Sequence, residues 1–312
     1  MAGLSACALS ACDLIGDAPR GSDRPDGRPG VQVATSPTPA PRATPSAQSQ
    51  AVAAFFLREQ EKLLTRGLLR NDGGGPDARF GAADLARNFV QIALFDEIPG
   101  GGANRVQGSK PLRRWEKPIR MQVTFGGVIT PQQRQSDVAQ VSAYAARLSR
   151  ATGHPISLND RDANFHIFFL DEDSRRGSAQ LLRRRVPGID NATLRSITNM
   201  PPGVRCQMTF LTRGTGSAID AAVILIRAEH PDILRRSCIH EELAQGLGLP
   251  NDSPAARPSI FNDDEEFGFL TTQDEMILSI LYDPRLRTGM RLEQVRPIVA
   301  QLANEKFTRA LN

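Results

Sequence analysis

The chain has 312 residues, 40% of them hydrophobic, which is enough for one large or two small cores. Its net charge is +4 with a pI of about 9.1, yet the clusters Arg113-Arg114, Arg183-Arg184-Arg185 and Arg235-Arg236 are short and read as solvated faces, and aromatics, only 5% of residues, do not interleave with them. No nucleic-acid partner is therefore expected, and no run of eighteen apolar residues exists to cross a membrane as a helix.

The amino terminus opens MAGLSACALSAC and turns polar at Asp13. Leu9-Ser10-Ala11-Cys12 has the pattern of a bacterial lipobox, in which the cysteine becomes lipid-modified. The apolar stretch is short and residues 1–11 carry no Lys or Arg, so the true start is expected upstream. Residues 13–50 hold 7 of the 22 prolines and almost no large apolar residue, and read as a disordered tether. This layout predicts a lipid anchor on Cys12, a place in the cell envelope facing the periplasm, and the membrane as a partner. Of the four cysteines, Cys7 is then cleaved away and Cys12 acylated, which leaves Cys206 and Cys238. A Cys206–Cys238 bridge is favoured over two free thiols, and it would contribute roughly 3–4 kcal/mol.

In chain order, residues 51–70 and 82–95 read as amphipathic helices in a helical amino-terminal segment, 51–112. The Gly-rich stretch 99–102 lacks the Gly-Lys-Ser/Thr ending of a phosphate loop. A second unit, 113–312, alternates strand and helix. Ile119–Phe125 reads as a strand, 131–150 as a helix, 156–158 as a short strand and 163–170 as a central strand. A polar, Arg-rich insertion, 173–199, is read as helical. Strands at 205–211 and 219–227 follow, then helices at 231–247, 271–283 and 291–306. The pattern predicts an α/β or α+β fold with helices on a mixed sheet.

The segment H-E-E-L-A-Q-G-L-G-L-P-N-D, residues 240–252, is the most site-like. On a helix, Glu241 and Gln245 share a face beside Glu242, and a turn at Gly248 returns Asn251 or Asp252 toward it. In this register E-E-L-A-Q-G-L-G-L-P-N-D resembles the matrixin-type H-E-x-x-H-x-L-G-L-x-H-S of the metzincin metallopeptidases. The resemblance puts Glu241, Gln245 and Asn251 in place of the three zinc histidines, Glu242 on the general base, and Ile260 in place of the methionine of the turn. It covers about residues 115–285 and implies a metzincin-like mixed sheet with an active-site-type helix. The chain also resembles the domain of unknown function 2927 family of bacterial lipoprotein-type proteins, through H-E-E-x-x-Q-x-L-G-L-x-N-D and Leu281–Leu286 with Gly289-Met290. That likeness covers most of 51–300 and implies an envelope location without an activity.

Three histidines are missing, so no cofactor is expected; zinc or calcium on Glu241, Gln245, Asn251 and Asp252 is the alternative. The expected role is a non-catalytic module binding a protein, peptide or glycan of the envelope. The competing expectation is a metal-dependent hydrolase with Glu242 as general base. His154, His166 and His230 read as structural, and the acidic run 262–266 as a solvated loop.

Overall fold

In the computed structural model of the chain, the described residues are 44–96, 108–212, 216–262 and 264–311. Cys12, the span read as a tether up to residue 43, the glycines at 100–102, the turn at 213–215 and Asp263 lie outside them. Among the described residues no helix is long and apolar enough to cross a membrane.

The first helix, α1, spans Ala47–Thr65. Its start is four residues inside the span read as a tether, because the Ser46 hydroxyl accepts from the Ser49 N–H and caps the helix there. Next come α2 (Ala82–Leu94), β1 (Arg114–Trp115), β2 (Ile119–Gly126), α3 (Pro131–Thr152), β3 (Ile156–Leu158) and β4 (Phe165–Leu170). Only β1 was not foreseen, since two residues carry no periodicity. The Arg-rich insertion forms three short helices, α4 (Glu172–Arg176), α5 (Ala179–Arg185) and α6 (Asn191–Thr198). The chain continues through β5 (Cys206–Thr212), β6 (Ala218–Arg227), α7 (Asp232–Gln245), α8 (Thr272–Leu281) and α9 (Leu292–Leu311).

The strands form one sheet in the order β1-β6-β4-β2-β3, with β5 also paired to β6, off this path. All pairings are parallel except β5 with β6, so the sheet is mixed. Strand β4 lies between β2 and β6 and every residue of it is buried, the central position its apolar run predicts. Its period-two alternation divides the core. Phe165, Ile167 and Phe169 face a large cluster shared with α3, α7, α8 and α9, while Phe168 and Leu170 face a smaller one under α5 and α6. Helices thus cover both faces, as an α/β fold requires.

Two readings of charge are corrected. Arg235 is not solvated: it is buried on α7 and donates to Asp137 of α3 at 3.0 Å. The acidic loop is not a free solvated run either. Glu266 accepts from Arg70 at 2.8 Å and from Arg257 at 2.6 Å, and Glu265 pairs with Arg205. Arginines distant in sequence neutralise these acids, which no local pattern reveals.

Candidate functional site

Helix α7 starts where two N–H groups, those of Ile233 and Leu234, donate to the Gln60 side chain of α1 at 3.0 and 3.1 Å. These are donors that a helix start leaves unpaired, so α1 serves as a cap supplied from outside the helix. Along α7, Leu234, Cys238, Ile239 and Leu243 point into the core. The Cys206–Cys238 disulfide ties the helix to β5, as the pairing of the remaining cysteines predicts.

At its carboxy end the helix runs into Leu247-Gly248-Leu249. Gly248 has φ +124°, and a Cβ there would lie 2.3 Å from the Arg113 carbonyl oxygen, so only glycine fits. A Cβ on Gly246 would meet the Phe165 ring at 2.5 Å. Two donors hold the turn: the buried Trp115 Nε1 to the Gly246 carbonyl at 2.8 Å and the hydroxyl of half-buried Tyr282 to the Leu247 carbonyl at 2.9 Å. Neither clamp was foreseen. A lone tryptophan and a tyrosine near the end of α8 carry no sequence mark of this role.

Past the turn, the N–H and side-chain amide of Asn251 donate to the carbonyls of Ile92 (3.3 Å) and Gln91 (3.0 Å) in α2. Asp252 instead comes back to α7, where Gln245 Nε2 donates to its Oδ1 at 3.4 Å. Glu242 and Gln245 are buried and Glu241 is half-buried. Burial, then the nearby Asp252 and Glu242 and more weakly Glu265, push the Glu241 carboxyl well above the usual range. The fold thus brings together Glu241, Glu242, Gln245 and Asp252, and adds Glu265 from the acidic loop. It sends the amide of Asn251 toward α2.

His240 is committed elsewhere. Its Nδ1 accepts from the Leu270 N–H at 3.0 Å, and its ring stacks on Tyr144 with centroids 4.1 Å apart. Burial, helped by Arg147 and Arg236, lowers its pKa to about 3, so the ring is neutral and its Nδ1 lone pair is taken. His154 Nε2 contacts the Lys117 carbonyl at 2.9 Å and His230 Nε2 the Arg205 carbonyl at 2.8 Å. His166 is buried in β4, where burial lowers its pKa to about 4. Among the described residues no group of three or more His, Cys, Asp or Glu is placed to hold a metal ion.

Ile260, at the expected methionine position, lies in a tight buried turn. Its N–H and the Ser259 hydroxyl both donate to Asp274 of α8, at 3.1 and 2.6 Å. Asp274 also caps its own helix through Thr271.

The model of a family described as a protein of unknown function (DUF2927) matches residues 82–301, from the first residue of α2 into α9. No curated protein and no solved structure matches the chain.

Proposed function

Because the chain belongs to the DUF2927 family of proteins of unknown function, we propose that it is a membrane-tethered binding module of the cell envelope whose peptidase-like helix and turn work without zinc. The observation that carries the reading is how the polar groups of α7 and its turn are used. The positions that would supply zinc ligands are one carboxyl with a raised proton affinity and two amides. Gln245 spends its amide N–H on Asp252, and Asn251 spends its own on Gln91 of α2. Neutral amide oxygens are poor zinc donors, and His240 has its Nδ1 lone pair engaged. Zinc does not fit this set. What it does form is a polar network joining helix to turn through Gln245 and Asp252, a base for a binding surface.

Location outside the cytosol is supported by the Cys206–Cys238 disulfide, a bond that reducing compartments disfavour. The lipobox at Cys12 supplies the tether, and a protein, peptide or glycan of the envelope is the partner class. One observation favours the competing hydrolase reading: Glu241, Glu242 and Asp252 are close enough to raise the affinity of Glu241 for protons, and a cation held by oxygens would relieve that crowding.

Elemental analysis of the oxidised protein, paired with a peptidase screen of the wild type and Glu242→Gln, separates the two. The binding reading expects no stoichiometric metal and no cleavage that depends on Glu242. Stoichiometric zinc or calcium with Glu242-dependent cleavage would overturn it. For the tether, a Cys12→Ser form expressed from the upstream start is expected to leave the membrane fraction; unchanged partitioning would remove the lipid anchor.

A further inference from the structure

The α4–α6 layer covers the face of the sheet opposite α7 and has its own polar centre. Residues 172–199 carry six arginines against three acids, which accounts for three positive charges of a chain whose net charge is +4. At the centre is Glu172, fully buried. It accepts from Arg175 Nη2 at 2.8 Å, Arg176 Nε at 2.8 Å and Arg227 Nη1 at 2.7 Å. Against the cost of burial, these three guanidiniums hold its carboxyl down to about 2. Glu229 accepts from the Glu172 N–H and the Ser49 hydroxyl and lies near Arg227, while Asp173 accepts from Ser46. Three guanidiniums therefore face one buried carboxylate directly and a second carboxyl, Glu229, nearby.

Above this cluster is a cleft of about 390 Å³, lined by Arg175, Arg176, Thr198, Asn199 and an apolar wall that includes Met200 and Pro201. Arg175 is 1% exposed, and its Nε is a buried donor with no hydrogen-bond partner among the described residues. Arg176 has a side chain 61% exposed and commits only Nε to Glu172. Its two terminal nitrogens make no hydrogen bond among the described residues. A guanidinium edge of this kind takes a carboxylate or phosphate through two parallel hydrogen bonds.

We propose that this cleft binds an anionic group, a carboxylate or a phosphate ester on a small, partly apolar body. Arg176 and Asn199 are its hydrogen-bond donors, Arg175 is the buried charge beneath it, and Met200 and Pro201 are the apolar wall. The excess of guanidinium over carboxylate supplies the attraction. The wall distinguishes an ester or organic acid from a bare ion. This site is independent of the α7 network and stands whether or not the binding reading of that network holds.

The test titrates the full protein with phenyl phosphate, benzoate and inorganic phosphate at matched ionic strength, read by calorimetry and by amide chemical shifts. Phenyl phosphate or benzoate is expected to bind saturably, with shifts centred on Arg176 and Asn199, and more tightly than inorganic phosphate. Arg176→Gln is expected to weaken binding about tenfold or more, the loss of a charge-assisted pair. Asn199→Ala should weaken it severalfold, and Arg183→Gln, on an exposed arginine of α5, should leave it unchanged. Asn199 is exposed, so the melting curve of Asn199→Ala should match the wild type, whereas Arg176→Gln also loses a bond to buried Glu172 and should melt lower while staying folded at the titration temperature. No saturable binding at roughly 10 mM probe, or an equal loss in Arg183→Gln, overturns the site. Inorganic phosphate binding as tightly as phenyl phosphate overturns the role of the apolar wall.

Discussion

Asp274 accepts hydrogen bonds from the Ser259 and Thr271 hydroxyls and from the N–H groups of Ile260 and Thr271, and is completely buried. Burial still outweighs those bonds and raises its pKa from 3.8 to about 6. A carboxyl whose folded pKa is raised stabilises the fold fully below its unfolded pKa, and that stability is lost as pH rises through the folded value. The contribution of Asp274 therefore falls by about 3 kcal/mol between pH values of about 4 and 6. Urea unfolding of the wild type and Asp274→Asn across that window is expected to show the difference in stability shifting toward the variant as pH rises. The same sign holds for Glu241, whose carboxyl is raised by burial and by Asp252 and Glu242. Glu241→Gln should raise the urea midpoint at pH 8, with the gain shrinking on acidification toward the ordinary carboxyl value of 4.5. A variant less stable than the wild type at pH 8 would show that a partner of the ionised carboxylate outweighs these terms.

Helix α7 is the element on which the candidate site depends, and both its ends are held from outside. Gln60 of α1 accepts from its first N–H groups, while Trp115 and Tyr282 donate to the carbonyls of its exit turn. The turn itself depends on Gly248, with its φ of +124° and the Arg113 carbonyl 2.3 Å from any added Cβ. Gly248→Ala combines backbone strain with a clash against main chain and should cost about 3 kcal/mol or more in denaturant unfolding. A cost under about 1 kcal/mol would mean that the turn relaxes and does not fix the position of Asp252. The remaining link is the disulfide to β5. Removing it with a Cys206→Ala, Cys238→Ala pair should cost roughly 3–4 kcal/mol for a loop of this length, seen as a lower melting temperature of the double variant.

For the whole molecule, the sequence already determined most of the architecture. The apolar run of β4, the alternation in β2 and the helical periodicity of α2, α3 and α7 placed these elements to within a few residues, because each depends on local pattern and burial. The cysteine count pointed to the disulfide, and the H-E-E-L-A-Q-G-L-G-L-P-N-D segment pointed to the helix and turn. The tertiary structure alone decided which charges meet. Local pattern assigned Arg235 to solvent, yet the fold buries it against Asp137. It left the acids at 265 and 266 in water, yet Arg205, Arg70 and Arg257 reach them from other parts of the chain. The same holds for the site first read at residues 240–252. The matrixin-type resemblance put Glu241, Gln245 and Asn251 in ligand register, whereas packing against α2 directs the Asn251 amide to Gln91 and leaves Asp252 facing Gln245. Periodicity is a property of neighbouring residues and can be read along the chain. Ion pairing and proton affinity depend on distances across the folded core, which no stretch of sequence contains.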